Sequence, residues 1–384
     1  MKEINEQYCN YIVKKITKRK GVFVLGSRTG VILTGLIIGI LALVLTKFGN
    51  PPNMGVCIAC FLRDTVGGLG LHKAKLVQYI RPEILGIIAG AFVVSLGTGE
   101  FRSKGGSSIV TRFVLGFLMM VGMLIFLGCP LRVALRLGAG DLNALIGFLG
   151  LFAGVGAGTY FLRSGFSLGK ASVMPKWTGA VMPVLALVLI VLFFAVPSLF
   201  IFSAEGPGSQ HAPALLSLAA GLIIGVMAQR SRFCMAGGIR DLLLFRNFNL
   251  ILGFLVIILV TLAGSLLSGS FKLGFNAQPI AHTEAVWNFL GLALAGWCAA
   301  LLGGCPLRQL VLTAQGNTDS AITVLGLVIG AAVAHRFSIA ASAKGVPVFG
   351  QYAVVVGLVI VLAISIIPHF RSLSVRGSET HAGN

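Results

Sequence analysis

Charge is what this sequence has least of: Asp, Glu, Lys and Arg make up 11% of its 384 residues. A soluble domain carries about 25% charged residues, so the shortage excludes an ordinary soluble globular protein. The chain also lacks a long hydrophilic domain in which its seven cysteines could form a disulfide framework. Its six histidines show no spacing typical of metal ligands, so the sequence predicts no metal site and no other cofactor.

Apolar residues take the place of the missing charge, at 56% of the chain with a mean hydropathy of +0.95. Long apolar runs recur, each close to the roughly 20 residues that cross a bilayer as a helix. Because lipid offers backbone groups no hydrogen-bond partner, such runs must form helices or a closed barrel. The runs are continuous rather than alternating, which excludes a barrel. The predicted fold class is an all-α polytopic membrane protein.

The charge that is present is strongly basic, with a formal net charge of +19. Much of the excess lies in loops and in a segment before the first apolar run, which contains Lys14, Lys15, Lys18, Arg19, Lys20 and Arg28. Basic flanks of this kind mark a cytoplasmic end, so we expect no nucleic-acid partner. The run that follows is of span length and lacks a clear cleavage site for a signal peptide. These features predict a multi-pass protein of the bacterial inner membrane.

The apolar runs and the segments between them predict two kinds of helix. The candidate spans are 29–47, 82–98, 110–128, 142–162, 177–202, 213–229, 249–269, 285–303, 320–338 and 349–368. Four shorter, Gly-punctuated segments are too polar for lipid and too apolar for ordinary loops: 53–70, 128–140, 230–246 and 304–318. Such backbone is tolerated at membrane depth inside protein or along a cavity. We therefore predict about 9–10 transmembrane helices plus four short re-entrant helices.

The four short segments form two pairs that indicate an internal repeat. Cys57, Ala59, Arg63 and Asp64 match Cys234, Ala236, Arg240 and Asp241, all at one constant spacing along the chain. The pentapeptide GCPLR occurs at 128–132 and again at 304–308, which is nearly the same spacing. Asp141 and Asp319, which follow the two copies of GCPLR, are also separated by nearly this spacing. Three matches in the same order and at nearly one spacing indicate a duplication.

The duplication predicts five parts of the chain. They are a basic cytoplasmic N-terminal segment (1–28), a first repeat (29–165), a linker with one span (166–212), a second repeat (213–345), and a final span with a cytoplasmic tail (346–384). The single span in the linker turns the second repeat upside down, and inverted repeats place a solute path near the midplane between them. Against this orientation, Lys73, Lys75 and Arg81 would lie on the outer side.

The GCPLR motif predicts a helix N-terminus that carries a thiol. Proline is favoured at the first helical position, which makes Cys129 and Cys305 candidate N-cap residues. A helix N-terminus presents free N–H donors and a positive end, both of which suit an anion. Arg132 and Arg308, three residues further along, add positive charge. A thiol, a helix N-terminus and an arginine together predict a site for a soft anion that contains sulfur, although a turn with a small buried cysteine is the alternative.

Cys57 and Cys234 form the second repeated pair of thiols, in segments that also contain charged neighbours. Arg63 precedes Asp64 and Arg240 precedes Asp241, and each arginine could form a structural ion pair or line the solute path. Asp141 and Asp319 precede apolar runs, so we expect both to act as helix N-caps.

Cysteines outside the repeat pattern are assigned separately. Cys60 has no counterpart, because Gly237 occupies the matching position. With Cys57 it forms a C-x-x-C, a spacing used by redox dithiols and by sites for soft metals. We expect Cys298 to pack in the core and Cys9 to be inert.

These residues resemble the YeeE/YedE sulfur-transport family. The resemblance rests on the paired GCPLR segments, on NMGVCIACFLRD at 53–64 and on RFCMAGGIRD at 232–241, and it covers about 29–368. The stretches at 49–86 and 126–147 most resemble the branch of the family described as selenium transporters (YedE).

The resemblance implies a fold and a role for the thiols. Members of the wider family include thiosulfate importers, in which transmembrane helices form an hourglass and short helices point to its centre. Cysteines at the constriction pass thiosulfate along by thiol–sulfur hydrogen bonds. By motif, that role falls here on Cys57, Cys129 and Cys305, with Cys234 as the inverted counterpart. The thiosulfate importers do not characteristically carry the C-x-x-C of Cys57 and Cys60.

Three functions remain open at this point. The first is uptake of a small selenium- or sulfur-containing anion, with a cytoplasmic sulfur or selenium carrier protein as a partner and without catalytic residues. The candidate binding residues are Cys57, Cys60, Cys129, Cys234, Cys305, Arg63, Arg132, Arg240 and Arg308. The second is a membrane thiol–disulfide oxidoreductase that uses Cys57 and Cys60. The third, transport of a soft metal, has less support because the nine methionines form no clusters.

Overall fold

The computed structural model describes residues 27–381, and the side chains of residues 27–366. Cys9, nearly all of the basic N-terminal segment and the last residues of the predicted tail lie outside the described residues. The helices are α1 (Arg28–Lys47), α2 (Ile58–Gly68), α3 (Pro82–Gly97), α4 (Ile109–Phe126), α5 (Pro130–Gly138), α6 (Leu142–Arg163), α7 (Lys176–Ala195), α8 (Ala214–Ser231), α9 (Met235–Phe245), α10 (Asn249–Leu267), α11 (Ala285–Leu301), α12 (Pro306–Ala314), α13 (Thr318–Arg336) and α14 (Val348–His381).

The all-α membrane fold predicted from the sequence is confirmed. In the described part of the chain, nine helical stretches are long and apolar enough to cross a membrane, and α3 is an apolar helix of 16 residues. The strands there, β1 (Lys104–Gly105) and β2 (Ser172–Val173), form one short antiparallel pair. The structure thus has the number of spans expected from hydropathy.

The span predicted at 177–202 is too long at its C-terminal end. Helix α7 ends at Ala195, and a 3₁₀ turn at Pro197–Leu199 follows it. Pro197 is the physical reason: the residue before a proline is disfavoured in the helical region, and Val196 has φ −137° and ψ 68°. The last apolar residues of the run therefore form a connection between α7 and α8.

Four helices are too short to cross the bilayer. Helices α2 and α9 have 11 residues each, and α5 and α12 have 9 each. At 1.5 Å per residue they are roughly 14–17 Å long, against a hydrocarbon core of about 30 Å. Pro130 and Pro306 occupy the first positions of α5 and α12, where a missing N–H costs no hydrogen bond. These helices coincide with the four segments that the sequence singled out as too polar for lipid.

The long helices pack in pairs, and each pair takes one helix from the first repeat and one from the second. Helix α1 packs against α10, and its counterpart α8 packs against α3, which is the counterpart of α10. In the same way α4 packs against α13, and α11 packs against α6. Every one of these pairs joins a helix of the first repeat to a helix of the second. The core is therefore shared by the repeats instead of being built twice.

The ends of the helices define two faces of the molecule. Asn50, just after α1, donates to Glu83 in the first turn of α3 (2.9 Å) and accepts from the N–H of Ala212, just before α8 (2.8 Å). Helix α1 therefore ends on the side where α3 and α8 begin. We call this side face 1, and the side on which α1 begins face 2.

Close backbone packing between α6 and α11 depends on glycine. A Cβ at Gly154 would lie 1.9 Å from the carbonyl oxygen of Ala293 in α11. We expect Gly154→Ala to destabilise the protein by about 1–3 kcal/mol because the helices must move apart. Gly156→Ala is the matched control, since the nearest atom to a Cβ there is 3.9 Å away. The measurement is the fraction of monodisperse protein left after heating in detergent, and equal survival of the two variants would contradict the prediction.

Candidate functional site

Three thiols of the first repeat lie together where α2 and α5 begin. The Sγ atom of Cys57 is 2.9 Å from that of Cys60 and 3.9 Å from that of Cys129. All three side chains are at most 1% exposed. Cys57 is also the N-cap of α2, because its sulfur accepts from the N–H of Cys60 at 3.4 Å. The sequence placed Cys57 in this segment but did not predict its capping role.

Two thiols of the second repeat form an equivalent pair where α9 and α12 begin. Cys234 accepts from the N–H of Gly237 at 3.2 Å and from the N–H of Cys305 at 3.3 Å. The second of these contacts joins Cys234 to the residue that begins α12. The side chains of Cys234 and Cys305 are 4% and 2% exposed. Each repeat thus brings its own two thiols together, Cys57 with Cys129 and Cys234 with Cys305.

The short helices explain why thiols meet here. Cys129 and Cys305 are the N-caps of α5 and α12, as the GCPLR motif predicted, and their side chains make no capping hydrogen bond. All four short helices start at one of the paired thiols, with the positive end of the helix dipole directed at the sulfur. Helix α2 also contacts α12, and α5 contacts α9, so the elements that carry the two pairs touch across the repeats.

Both Arg–Asp pairs expected from the sequence form ion pairs within their helices. Arg63 lies 2.7 Å from Asp64, and Arg240 lies 2.9 Å from Asp241. The first pair is fully buried and is joined by Arg81, whose guanidinium lies 2.8 Å from Asp64. The second pair is partly exposed, at 28% and 21% of the side chains. The carboxylates, not the thiols, are the direct ionic partners of Arg63 and Arg240.

The two repeated aspartates near the GCPLR motifs have different roles. Asp141 is the N-cap of α6 and accepts from the N–H of Asn143, as predicted. The N-cap prediction for Asp319 is wrong, because Asn317 caps α13. The Asp319 carboxylate turns instead to the loop after β1, where it accepts from the N–H groups of Gly106 and Ser107.

Two buried arginines were missed by the sequence reasoning. Arg81, which the inverted orientation places on the outer side, is buried and also donates to the carbonyls of Pro207 and Gln210. Arg136 lies 2.6 Å from Asp141 and donates to the carbonyl of Phe126 at 3.0 Å. The available signal was that Arg136 stands 5 residues before Asp141; Arg81, 17 residues from Asp64, had no such signal. Arg81 thus binds a side chain of α2, and Arg136 links α5 to the N-cap of α6 and the end of α4.

A cavity of about 510 Å³ opens on face 1 beside α2. Among the residues that line it are Glu284, His335 and Lys344. The rings of His335 and His72 are 4.7 Å apart, and Nε2 of His72 lies 3.1 Å from the carbonyl oxygen of Arg63. Burial lowers the pKa of His72, which keeps this imidazole neutral at pH 7. His72 therefore lies between Arg63 in α2 and His335 in the wall of the cavity.

Fold and site together define a multi-pass helical membrane protein with repeat-related buried thiols. In the part of the chain that the structure describes, no group of three or more His, Cys, Asp or Glu residues is arranged to hold a metal ion. The family model described as sulphur transport matches residues 10–129 and 230–374, which is more than half of the chain. The chain belongs to this sulphur transport family. No curated protein matches it.

The matched regions fit the repeat pattern of the thiols. The first region contains Cys57 and Cys129, and the second contains Cys234 and Cys305. The part of the chain between them holds α5 to α7 and most of α8. The family match therefore covers both pairs of thiols.

Proposed function

We propose that this protein imports a small sulfur- or selenium-containing anion across the bacterial inner membrane, along a path lined by its paired thiols. The observation that carries the proposal is the pairing itself: both repeats place two buried thiols at the N-termini of short helices. Membership of the sulphur transport family supports sulfur as the element that is carried. The role is transport without a catalytic residue.

The chemistry of the site suits a soft anion. A thiol is a weak hydrogen-bond donor, and four short helices direct positive dipole ends at the paired sulfurs. Several weak sites in series hold an anion briefly and release it, which keeps a path conductive. Arg132 and Arg308 add positive charge near the thiols. Arg63 and Arg240 stabilise the short helices through their ion pairs with Asp64 and Asp241.

The path for the anion runs along the interface between the two repeats. Helix α1 ends on face 1, where its counterpart α8 begins, and this supports the inverted orientation predicted for 29–165 and 213–345. Inverted repeats place the substrate at their interface, near the bilayer midplane. With the basic N-terminus in the cytoplasm, face 1 is the outer side, and its cavity is the vestibule from which the anion enters. A cytoplasmic carrier of sulfur or selenium accepts the product on face 2.

The residues around Cys57 bear on the choice between selenium and sulfur. The stretch at 49–86 resembles the selenium branch of the family and contains Cys60, which the thiosulfate importers do not characteristically carry. Cys60 adds a third sulfur to the cluster of the first repeat, 2.9 Å from Cys57. Selenium compounds are softer than their sulfur analogues, so an extra thiol favours a selenium species as the substrate.

One observation favours a second function, a thiol–disulfide oxidoreductase. The sulfurs of Cys57 and Cys60 lie 2.9 Å apart, in the C-x-x-C spacing of redox dithiols. Loss of two protons and two electrons to an oxidised protein disulfide would join them. Both side chains are 0% exposed, however, so a soluble partner could not attack either sulfur. Burial therefore favours transport of a small solute.

Uptake in cells without importers of their own tests the proposal. Labelled thiosulfate and labelled selenite are offered to cells that produce the wild type or Cys60→Ser. Transport predicts uptake of at least one label, with the preferred label identifying the element, and a Cys60→Ser variant that still transports. An oxidoreductase function instead predicts that the wild type takes up neither label. It also predicts that Cys60→Ser loses all thiol–disulfide exchange activity. No uptake by wild-type protein that is present in the membrane would overturn the transport proposal.

A further inference from the structure

The arginines of the two GCPLR motifs are identical in sequence position and different in structure. Arg132 is fully buried, and its guanidinium donates to the carbonyls of Asn53 (3.0 Å), Ile280 (3.2 Å) and Leu127. It also lies 3.6 Å from the sulfur of Cys60. These acceptors lie in three places: the segment before α2, the end of α4 and the loop before α11. Arg132 thus holds these three segments together beside the thiols.

Arg308 makes none of these contacts. Its Nη1 atom is buried without a hydrogen-bond partner, and the guanidinium forms no ion pair in the described part of the chain. It interacts electrostatically with Cys234 and Cys305. Its stem folds back on Gly304, where an added Cβ would lie 2.7 Å from Cγ of Arg308 and 3.7 Å from the sulfur of Cys234. Arg308 therefore lies beside the thiols with an unpaired N–H donor group at Nη1.

The acidic residue that interacts with Arg308, Glu100, forms no ion pair with it. Glu100 accepts from Gln229 at 2.8 Å and from Arg230 at 3.3 Å. Arg232 adds a further positive charge to the surroundings of Arg308. An arginine at this depth in a membrane protein is costly unless a counter-ion or a water-filled path meets it, and such residues mark routes for ions.

We propose, on the basis of the proposed function, that Arg308 with Cys234 and Cys305 forms the anion-selective binding site of the path, and that Arg132 is a positioning residue. The ligand class is a small oxyanion with a terminal sulfur or selenium atom. Its oxygens accept from the guanidinium fork, which matches planar pairs of acceptors, and its soft atom faces the thiols. In this arrangement the three thiols of the first repeat favour a solute with a soft sulfur or selenium atom. Arg308 in the second repeat favours a solute with a negative charge.

The test removes the charge without removing the thiols. Thiosulfate uptake by Arg308→Gln is compared with that of the wild type and of Arg308→Lys in proteoliposomes. We expect KM to rise about tenfold or more in Arg308→Gln with a smaller change in the maximal rate, because the site loses an interaction with the bound anion. Arg308→Lys keeps the charge and restores part of the affinity, which a merely structural role for Arg308 would not produce.

A second measurement does not depend on transport. Purified protein is treated with anionic and with cationic methanethiosulfonate reagents, and mass spectrometry locates the labelled cysteines. In Arg308→Gln the ratio of anionic to cationic labelling should fall severalfold at Cys234 and Cys305 and stay constant at Cys57. Unchanged KM and an unchanged ratio in Arg308→Gln would overturn the inference while leaving the transport proposal intact. A lower ratio with no uptake by the wild type would support the anion site and reject transport.

Arg132 supplies the matched comparison within the same motif. If it is a positioning residue, Arg132→Gln lowers the yield and thermal survival of the protein, because three carbonyl groups lose their donor. The labelling ratio at Cys234 and Cys305 should stay at the wild-type value in the folded fraction. A selective rise in KM for Arg132→Gln at unchanged thermal survival would contradict this division of roles.

Discussion

Replacing Cys129 or Cys305 by alanine should abolish uptake while leaving the protein in the membrane. The physical reason is that each sulfur is one of the weak sites along the proposed path, and alanine offers an anion no polar hydrogen. The fold should tolerate both changes, because neither side chain makes a capping hydrogen bond. The motif keeps its proline at the first helical position, so α5 and α12 still begin where they do in the wild type.

The measurement is initial uptake of the preferred label, normalised to the amount of protein in the membrane fraction. We expect a fall to the background of cells without the protein, a loss of at least about tenfold. Cys298→Ala is the matched control, since Cys298 is 0% exposed in α11 and packs in the core, as the sequence predicted. Full uptake by Cys129→Ala and by Cys305→Ala would remove the thiol path from consideration. Equal losses of uptake in all three variants would show that the loss comes from disturbed packing of the core and not from the path.

The second large effect should follow removal of the negative charge at Asp64. The carboxylate lies between Arg63 and Arg81, and all three side chains are at most 3% exposed. Asp64→Asn leaves two buried arginines without a counter-charge, which typically costs about 3–5 kcal/mol. We therefore expect little folded protein in detergent and a marked fall in the temperature at which the remainder aggregates.

The second repeat contains the control for this prediction. Asp241 occupies the equivalent position, but its ion pair with Arg240 is 21–28% exposed, and Ile258 stands where the spacing of the repeat would place the counterpart of Arg81. Exposed ion pairs contribute about 0–1 kcal/mol, so Asp241→Asn should change thermal survival little. Similar survival of the two variants would show that the buried cluster around Asp64 is not needed for stability.

The local features of the site were predictable because they depend on neighbours in the sequence. Proline directly after cysteine in GCPLR predicted that Cys129 and Cys305 begin short helices, and they do. The spacing of the repeat predicted that Cys57 and Cys234 occupy equivalent segments, and both cap their helices. Ion pairs between adjacent residues, such as Arg63 with Asp64, required only the local sequence.

Contacts between distant parts of the chain were not predictable in this way. Arg81 lies in a loop with two lysines, and nothing in its local sequence pairs it with Asp64, to which the fold brings it. Asp319 looked like a helix cap because it precedes an apolar run, but a loop from the first repeat offers its backbone N–H groups to the carboxylate. In both cases a partner far away in sequence decided the role of the side chain.

The sequence by itself determined that this protein lies in a membrane, about how many of its helices are long and apolar enough to cross it, where α5 and α12 begin, and which thiols occupy matching sequence positions. These properties follow from hydropathy, proline and spacing, all of which act over one turn or one span. The tertiary structure alone decided which thiols meet and which charges are compensated. Arg132 and Arg308 stand in the same pentapeptide, yet Arg132 donates to the carbonyls of Asn53 and Ile280, whereas Nη1 of Arg308 is buried without a hydrogen-bond partner among the described residues. Hydrogen-bond partners are set by the packing of distant segments, and a motif does not encode them.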